Sequence, residues 1–259
     1  MKIMTINAHS LMGNDNDMCL RVFSDVVSEN MPDILALQEE NQRKAAPIVM
    51  LGNGFNVRED NFALNLCKRL YDGDTSYGFV WQGVKYAYDI YEEGIALMFR
   101  LPVIETDVFT ISRVDVVNNW KRRMALGIRV GNEWFYSIHT GRYDDTEEPF
   151  GEQLNKINTH IKDKGRVWLM GDFNCPYESD GYKKMQALGW HDTHLMAKER
   201  DIGVTVVENI DGWRDTDIKN MRIDYIFTTE NTPVKSSHTI FNGKNLDIIS
   251  DHYGIEVIM

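Results

Sequence analysis

Cysteine is scarce, with Cys19, Cys67 and Cys175 the only three in 259 residues. An odd, widely spaced set rules out a disulfide framework, offers no close pair for zinc, and fits a reducing compartment. Proline is sparse too, at six residues, and no linker-like stretch breaks the chain, so one domain over 1–259 is expected. No apolar run approaches the roughly 20 residues of a membrane span. The opening MKIMTIN lacks the length and small-residue cleavage site of a signal peptide. A soluble, cytoplasmic protein with no membrane and no obligate protein partner is the expectation. Positive charge is also short: 28 Lys and Arg stand against 39 Asp and Glu, a net −11. The one tight basic cluster, Lys121-Arg122-Arg123, opens an apparent strand. So negative a field opposes nucleic acid and anionic membranes. It also aids solubility, so it counts against a nuclease without excluding one.

What is present is an alternation of short apolar runs and amphipathic stretches without internal repeat. Apolar alternation predicts strands at 2–7, 33–38, 78–84, 94–100, 103–111, 122–130, 133–139, 166–171, 222–228, 234–241 and 253–259. Gly131-Asn132 reads as a hairpin turn. Helical spacing predicts helices at 17–30, 61–71, 149–163 and 180–188. Strands outnumber helices too far for an all-parallel doubly wound sheet. The predicted class is α/β, a four-layer α/β/β/α sandwich of two packed mixed sheets flanked by helices.

Apolar strands repeatedly meet Asn, Asp, Glu or His at one end. Asn7, Glu39 and His139 close strands, and Asp172 and Asn174 follow VWLMG. Glu93, Asp224 and the pair Asp251-His252 precede strands. Starts and ends of antiparallel neighbours lie side by side, so these residues can line one rim. Any strand end carries polar residues, but that does not explain the choice of these four types over Lys, Ser or Thr. Carboxylate and amide oxygens suit Mg²⁺, which keeps positions for water and substrate phosphate.

TxN at 5–7, LQE at 37–39, EG at 93–94, GDFN at 171–174, RIDYIF at 222–227 and SDH at 250–252 resemble the ordered motifs of the endonuclease/exonuclease/phosphatase superfamily. The resemblance implies a magnesium-dependent phosphoesterase, with Mn²⁺ as a substitute ion. Glu39 would be the main metal ligand, beside Asn7 and with Asp251 direct or through water. Glu40, turned away from Glu39, reads as structural. Asp172 would orient or deprotonate the attacking water and Asn174 would donate to the phosphoryl group. His252, held by Asp224, would stabilise charge as a cation. His139, supported by Glu93, would act as second donor or as acid to the leaving group. Paired carboxylates should raise both histidine pKa values. With two ions instead of one, Asp172 and Asn174 would become ligands. Glu92 adjoins Glu93, and a slip of frame would exchange them. His9 shares a face with Asn7 and reads as a satisfied neighbour; Cys175 reads as buried filler.

Export signals are missing for secreted deoxyribonucleases and sphingomyelinases, and the basic loops of nucleases are missing as well. The stretches between motifs are instead rich in aromatics, including Tyr86, Tyr88, Trp120, Tyr143 and Trp213, suited to stacking on sugar rings. YAYDIYEEGIA, HTGRYDDTEEPF, MGDFN, IDGWRD and IFNG resemble the bacterial maltose-6'-phosphate phosphatase branch. That branch usually carries tryptophan after HxG, whereas Arg142 and Tyr143 follow Gly141 here. The resemblance implies a phosphomonoesterase acting on a sugar phosphate, disaccharide phosphates included. Arg142, Tyr143 and Trp213 are the candidate substrate contacts. The alternative is a metal-dependent nuclease or phosphodiesterase on DNA or RNA.

Overall fold

The computed structural model describes residues 1–259 except 13–14, 53, 208–209, 211–212, 214–218 and 245. Four positions of the IDGWRD segment, 211–212 and 214–215, thus lie outside the described residues. In chain order the elements are β1 (Lys2–Asn7), α1 (Asn16–Asn30), β2 (Ile34–Arg43), β3 (Ile48–Met50), β4 (Val57–Arg58), α2 (Phe62–Asp72), β5 (Gly78–Ala87) and β6 (Tyr91–Phe99). Then follow β7 (Glu105–Thr110), β8 (Met124–Val130), β9 (Glu133–His139), α3 (Phe150–Ile161), β10 (Val167–Asp172) and α4 (Asp180–Ala187). The chain ends with β11 (His191–Asp192), α5 (Thr193–Met196), β12 (Ala197–Arg200), β13 (Asp224–Thr228), β14 (Val234–Ile240) and β15 (Gly254–Ile258).

Two mixed sheets carry the fold, ordered β12-β14-β15-β1-β2-β6-β5 and β11-β13-β10-β9-β8-β7. Period-two alternation gives each sheet two apolar faces. Ile3, Ala36, Leu97, Phe135, Trp168, Met170 and Ile226 interleave between the sheets. The outer face of the first sheet takes the apolar stripe of α1 (Phe23, Val26, Val27) and of α2 (Phe62, Leu66, Leu70). The outer face of the second takes Phe150, Leu154 and Ile157 of α3 and Tyr182 and Met185 of α4. The four-layer α/β/β/α order is therefore the observed one. Asp15 caps α1 by accepting from Met18 N at 2.9 Å, and Asn61 caps α2 by accepting from Leu64 N at 3.0 Å. Among the described residues no helix is long and apolar enough to cross a membrane.

The second strand runs five residues beyond the apolar DILALQ, through EENQR. Glu40–Arg43 pair with Tyr91–Gly94 after a register shift between Leu37 and Glu40. Polar composition hid this extension, since a buried ladder partner, not hydrophobicity, holds these residues in the sheet.

Candidate active site

Sheet register gathers the polar strand ends. In the second sheet Asp172 lies opposite His139 on parallel β9 and opposite Asp224 on antiparallel β13. In the first, Asn7 lies opposite Gln38 on parallel β2, and β15 starts two residues after His252. Both sets meet at one lip of the sandwich. Behind it Gln38 Nε2 donates to Ser137 Oγ at 2.9 Å, and Ser137 Oγ donates to Leu37 O at 3.0 Å. This buried polar tie fixes the two sheets against each other just below the site.

Local backbone strain aims the side chains. Leu35 and Leu37 face the helices, so simple alternation would put Glu39 beneath α2. Glu39 instead adopts φ 45° inside the bulge, and the extra residue resets the alternation. Glu39 turns to the lip, and Glu40 takes the helix face, accepting from Ala63 N at 2.6 Å and Asn61 Nδ2 at 3.1 Å. Burial, only partly offset by those donors, pushes the Glu40 carboxyl up to about 8. Asn174 is also left-handed, at φ 45°. Gly171, three residues before Asn174, sits at φ 146°, where a Cβ would lie 2.0 Å from Ile138 O.

Asn7 Nδ2 donates to Glu39 Oε1 at 3.0 Å and to Asp172 Oδ2 at 3.2 Å, joining the two sheets. Asp172 also accepts from Asn174 N at 2.8 Å. Its pKa rises to about 7, through burial first and then the charge of Asp224. His252 Nδ1 donates to Asp224 Oδ2 at 2.9 Å, and its Nε2 lies 4.0 Å from Asp172. Burial opposes charge on His252, but Asp224, by charge and hydrogen bond, with Asp172 and Asp251, outweighs it and lifts the pKa to about 10.

His139 differs from expectation. Glu93 pairs with Lys85 Nζ at 2.6 Å, where support of His139 had been expected. Burial, then the charge of Arg123, with Lys85 adding to it, holds the His139 pKa well below the usual value. A neutral imidazole results, whose Nε2 lies 3.1 Å from the donor Asn174 Nδ2 and so accepts. Glu92, the other member of the EE pair, is bound to Arg58 at 2.7 Å, away from the lip.

His9 proved closer to the chemistry than its sequence position suggested. Its Nδ1 lies 2.9 Å from Glu39 Oε2 and 3.9 Å from Asp251 Oδ1. The Glu39 hydrogen bond raises its pKa against burial, so the space between these two carboxylates already draws positive charge. Glu39 and Asp251, with Asn7 after an amide flip, offer only oxygen donors, a set that fits a hard divalent ion. Asp172, Asp224 and His252 also bring ligand-type atoms within 4.8 Å of one another. The hydrogen bond between His252 Nδ1 and Asp224 makes this trio a carboxylate–imidazole network as well.

A cavity of about 600 Å³ opens over the lip, and His9, Glu39, Glu93, His139, Asp172, Asn174, Asp251 and His252 line it with Lys85, Arg123, Tyr86, Tyr88, Trp120 and Arg142. Trp120 and Tyr88 are largely exposed at 65% and 62%. Of the three expected substrate contacts, Arg142 lines this cavity, paired to Asp144 at 2.7 Å and stacked 4.7 Å over Trp213. Trp213 is buried, stacks on Tyr143 at 6.3 Å, and gives its indole N–H to Asn174 Oδ1 at 3.1 Å. That bond orients the Asn174 amide with Nδ2 toward the lip. Trp213 thus stands behind the site instead of offering a stacking face. Lys85 and Arg123 were missed as site residues. Lys85 carries no motif, and Arg123 sat in a cluster read only for its bearing on nucleic acid.

A buried carboxylate–imidazole network at the lip of a two-sheet sandwich defines a phosphoester hydrolase, and comparison with known proteins agrees. Residues 4–252 match the Endonuclease/Exonuclease/phosphatase family, and the chain belongs to this family of metal-dependent phosphoester hydrolases. An endonuclease/exonuclease/phosphatase family protein from Leptotrichia buccalis superposes with TM-score 0.90 at 31% identity, covering 100% of this chain and 98% of that one. A mannosyl-6-phosphatase from Bacteroides thetaiotaomicron follows at TM-score 0.69 and 17% identity, covering 100% and 98%. The 3' phosphatase NExo from Neisseria, bound to product DNA hairpin, gives 0.67 at 18% identity, covering 100% and 99%. The last two share the fold. No curated protein matches the chain.

Proposed function

We propose that this chain is a cytoplasmic, Mg²⁺-dependent phosphomonoesterase that hydrolyses a phosphorylated sugar, acting as one catalytic domain. The observation that carries the reading is the cavity: a recess of about 600 Å³ above the lip suits a sugar or disaccharide phosphate. Trp120 and Tyr88, both largely exposed, line it, and such aromatic side chains stack on sugar rings; Lys121 Nζ lies 5.2 Å over the Trp120 ring. The net charge of −11 disfavours a long polyanion. The mannosyl-6-phosphatase fold neighbour is in keeping with this choice.

Glu39, Asp251 and Asn7 would hold the ion, which when bound neutralises phosphoryl charge and stabilises the leaving oxygen. Asp172, with its pKa near 7, takes the proton of the attacking water at Oδ2. Asn174, its amide held at Oδ1 by the Trp213 indole N–H, donates Nδ2 to a phosphoryl oxygen. The His252 cation, held by Asp224, meets the negative charge that develops there. Neutral His139 accepts from Asn174 and keeps its amide aimed, a role that replaces the expected acid.

A phosphate-release screen across mono- and disaccharide phosphates, nucleotides and inositol phosphates, with and without chelator, tests the proposal. Metal-dependent release from sugar phosphates, with supercoiled and abasic DNA left intact, is the expected outcome. Nicking of DNA at comparable efficiency would favour the nuclease alternative.

A further inference from the structure

The cavity wall beside His139 carries a charge pattern that the residues of the lip leave unused. Arg123 and Lys85 both line the cavity while only 8% and 7% exposed. Lys85 is matched by Glu93 at 2.6 Å. Arg123 gives Nη1 to the carbonyls of Trp120 and Arg122 at 2.7 and 3.0 Å, but its buried Nε has no hydrogen-bond partner. Among the described residues no carboxylate pairs with it. Of these two buried cations only Lys85 has a carboxylate in direct contact, so the Arg123 charge is left without a counter-ion at hydrogen-bond distance. Native interiors rarely leave a charged donor unmatched, and this one belongs to a side chain that also lines the cavity, where an anionic ligand can supply the missing counter-charge. Arg123 and Lys85 line the same cavity as His139 and Asn174, whose side chains meet at 3.1 Å, so both cations share the recess proposed for the phosphoryl group.

Building on the phosphomonoesterase reading, we propose that Arg123, with Lys85 beside it, binds the terminal phosphoryl group of the substrate and selects monoesters over diesters. A monoester carries close to two negative charges and three terminal oxygens at neutral pH, a diester one charge and two oxygens. Asn174 and His252 serve oxygens that both esters possess. The additional oxygen and charge of the monoester need a further cationic donor, and a guanidinium edge supplies a directed one. Arg123 and Lys85 thereby explain how a strongly acidic chain admits a dianion.

The test compares wild type, Arg123→Gln and Arg123→Lys. Inorganic phosphate binding is measured by calorimetry with Mg²⁺, and kcat/KM is measured for p-nitrophenyl phosphate and for its bis-ester. Arg123→Gln should weaken phosphate binding and monoester kcat/KM by about 10- to 100-fold, while the diester rate changes less than about threefold. Arg123→Lys keeps the buried charge and so carries the test if the glutamine variant does not fold; its monoester-to-diester ratio should drop by about 5- to 10-fold. Equal losses on both esters, or unchanged phosphate affinity, would overturn the proposal. If wild type turned over no sugar phosphate yet lost phosphate binding and monoester preference in these variants, the sugar reading would fail and this one would stand.

Discussion

Asp224→Asn isolates the buried ion pair on which the charge of His252 depends. The rise of the His252 pKa from 6.5 to about 10 is worth about 5 kcal/mol in favour of the charged ring. Burial works against that charge, and Asp224 is its largest support, ahead of Asp172 and Asp251. Loss of the carboxylate should therefore remove about 2–4 kcal/mol and bring the His252 pKa to about 8 or below. Because the folded value exceeds the unfolded one, this stabilisation is complete below about pH 6.5 and is lost as pH rises through about 10. Chemical denaturation at pH 6, 8 and 10 should show that slope in wild type and a flatter one in the variant, with proton NMR following the ring directly. Turnover near pH 7.5 should fall by about 10²- to 10⁴-fold. An unchanged His252 titration, or near-native turnover in the variant, would refute the reasoning.

Other perturbations separate the remaining parts. Glu39→Gln should abolish the thermal stabilisation by Mg²⁺, about 2.7 kcal/mol in wild type at a hundredfold excess over Kd, and reduce turnover by at least about 10³-fold. Trp213→Phe removes the donor to Asn174 Oδ1 while keeping the ring; kcat should drop by about 3- to 10-fold with KM nearly unchanged, in steady-state assays. Glu40, with its folded pKa near 8, penalises ionisation, so wild-type stability should decline as pH rises from about 4.5 through 8. Glu40→Gln should make that decline shallower by at most about 5 kcal/mol in melting curves across pH 5 to 9, leaving the part that comes from His252 and Asp172.

Much of the lip was legible because it lies at the ends of regular strands, where apolar alternation stops on a functional side chain. Asn7, His139, Asp172, Asp224 and His252 come together for that reason. Glu39 reaches the lip for a different cause. A bulge breaks the simple strand alternation there, and no local pattern announces a bulge. The neutrality of His139 was not legible, since Lys85 and Arg123 reach it from β5 and the segment before β8, far apart in sequence. Pairing of Glu93 with Lys85 was hidden likewise, being set by the β5–β6 register. Trp213 looked like a sugar platform because composition cannot tell an exposed ring from a buried one. The short elements β3, β4, β11, β12 and α5 span two to four residues and are too brief for a periodic signal.

Hydrolysis in ¹⁸O-labelled water, with a sugar phosphate and Mg²⁺, tests most directly whether this lip activates water against phosphorus. One labelled oxygen per turnover should appear in the released phosphate and none in the sugar, with release abolished by chelator and by Asp172→Asn. Label in the sugar hydroxyl, or phosphate release indifferent to chelator, would contradict the account.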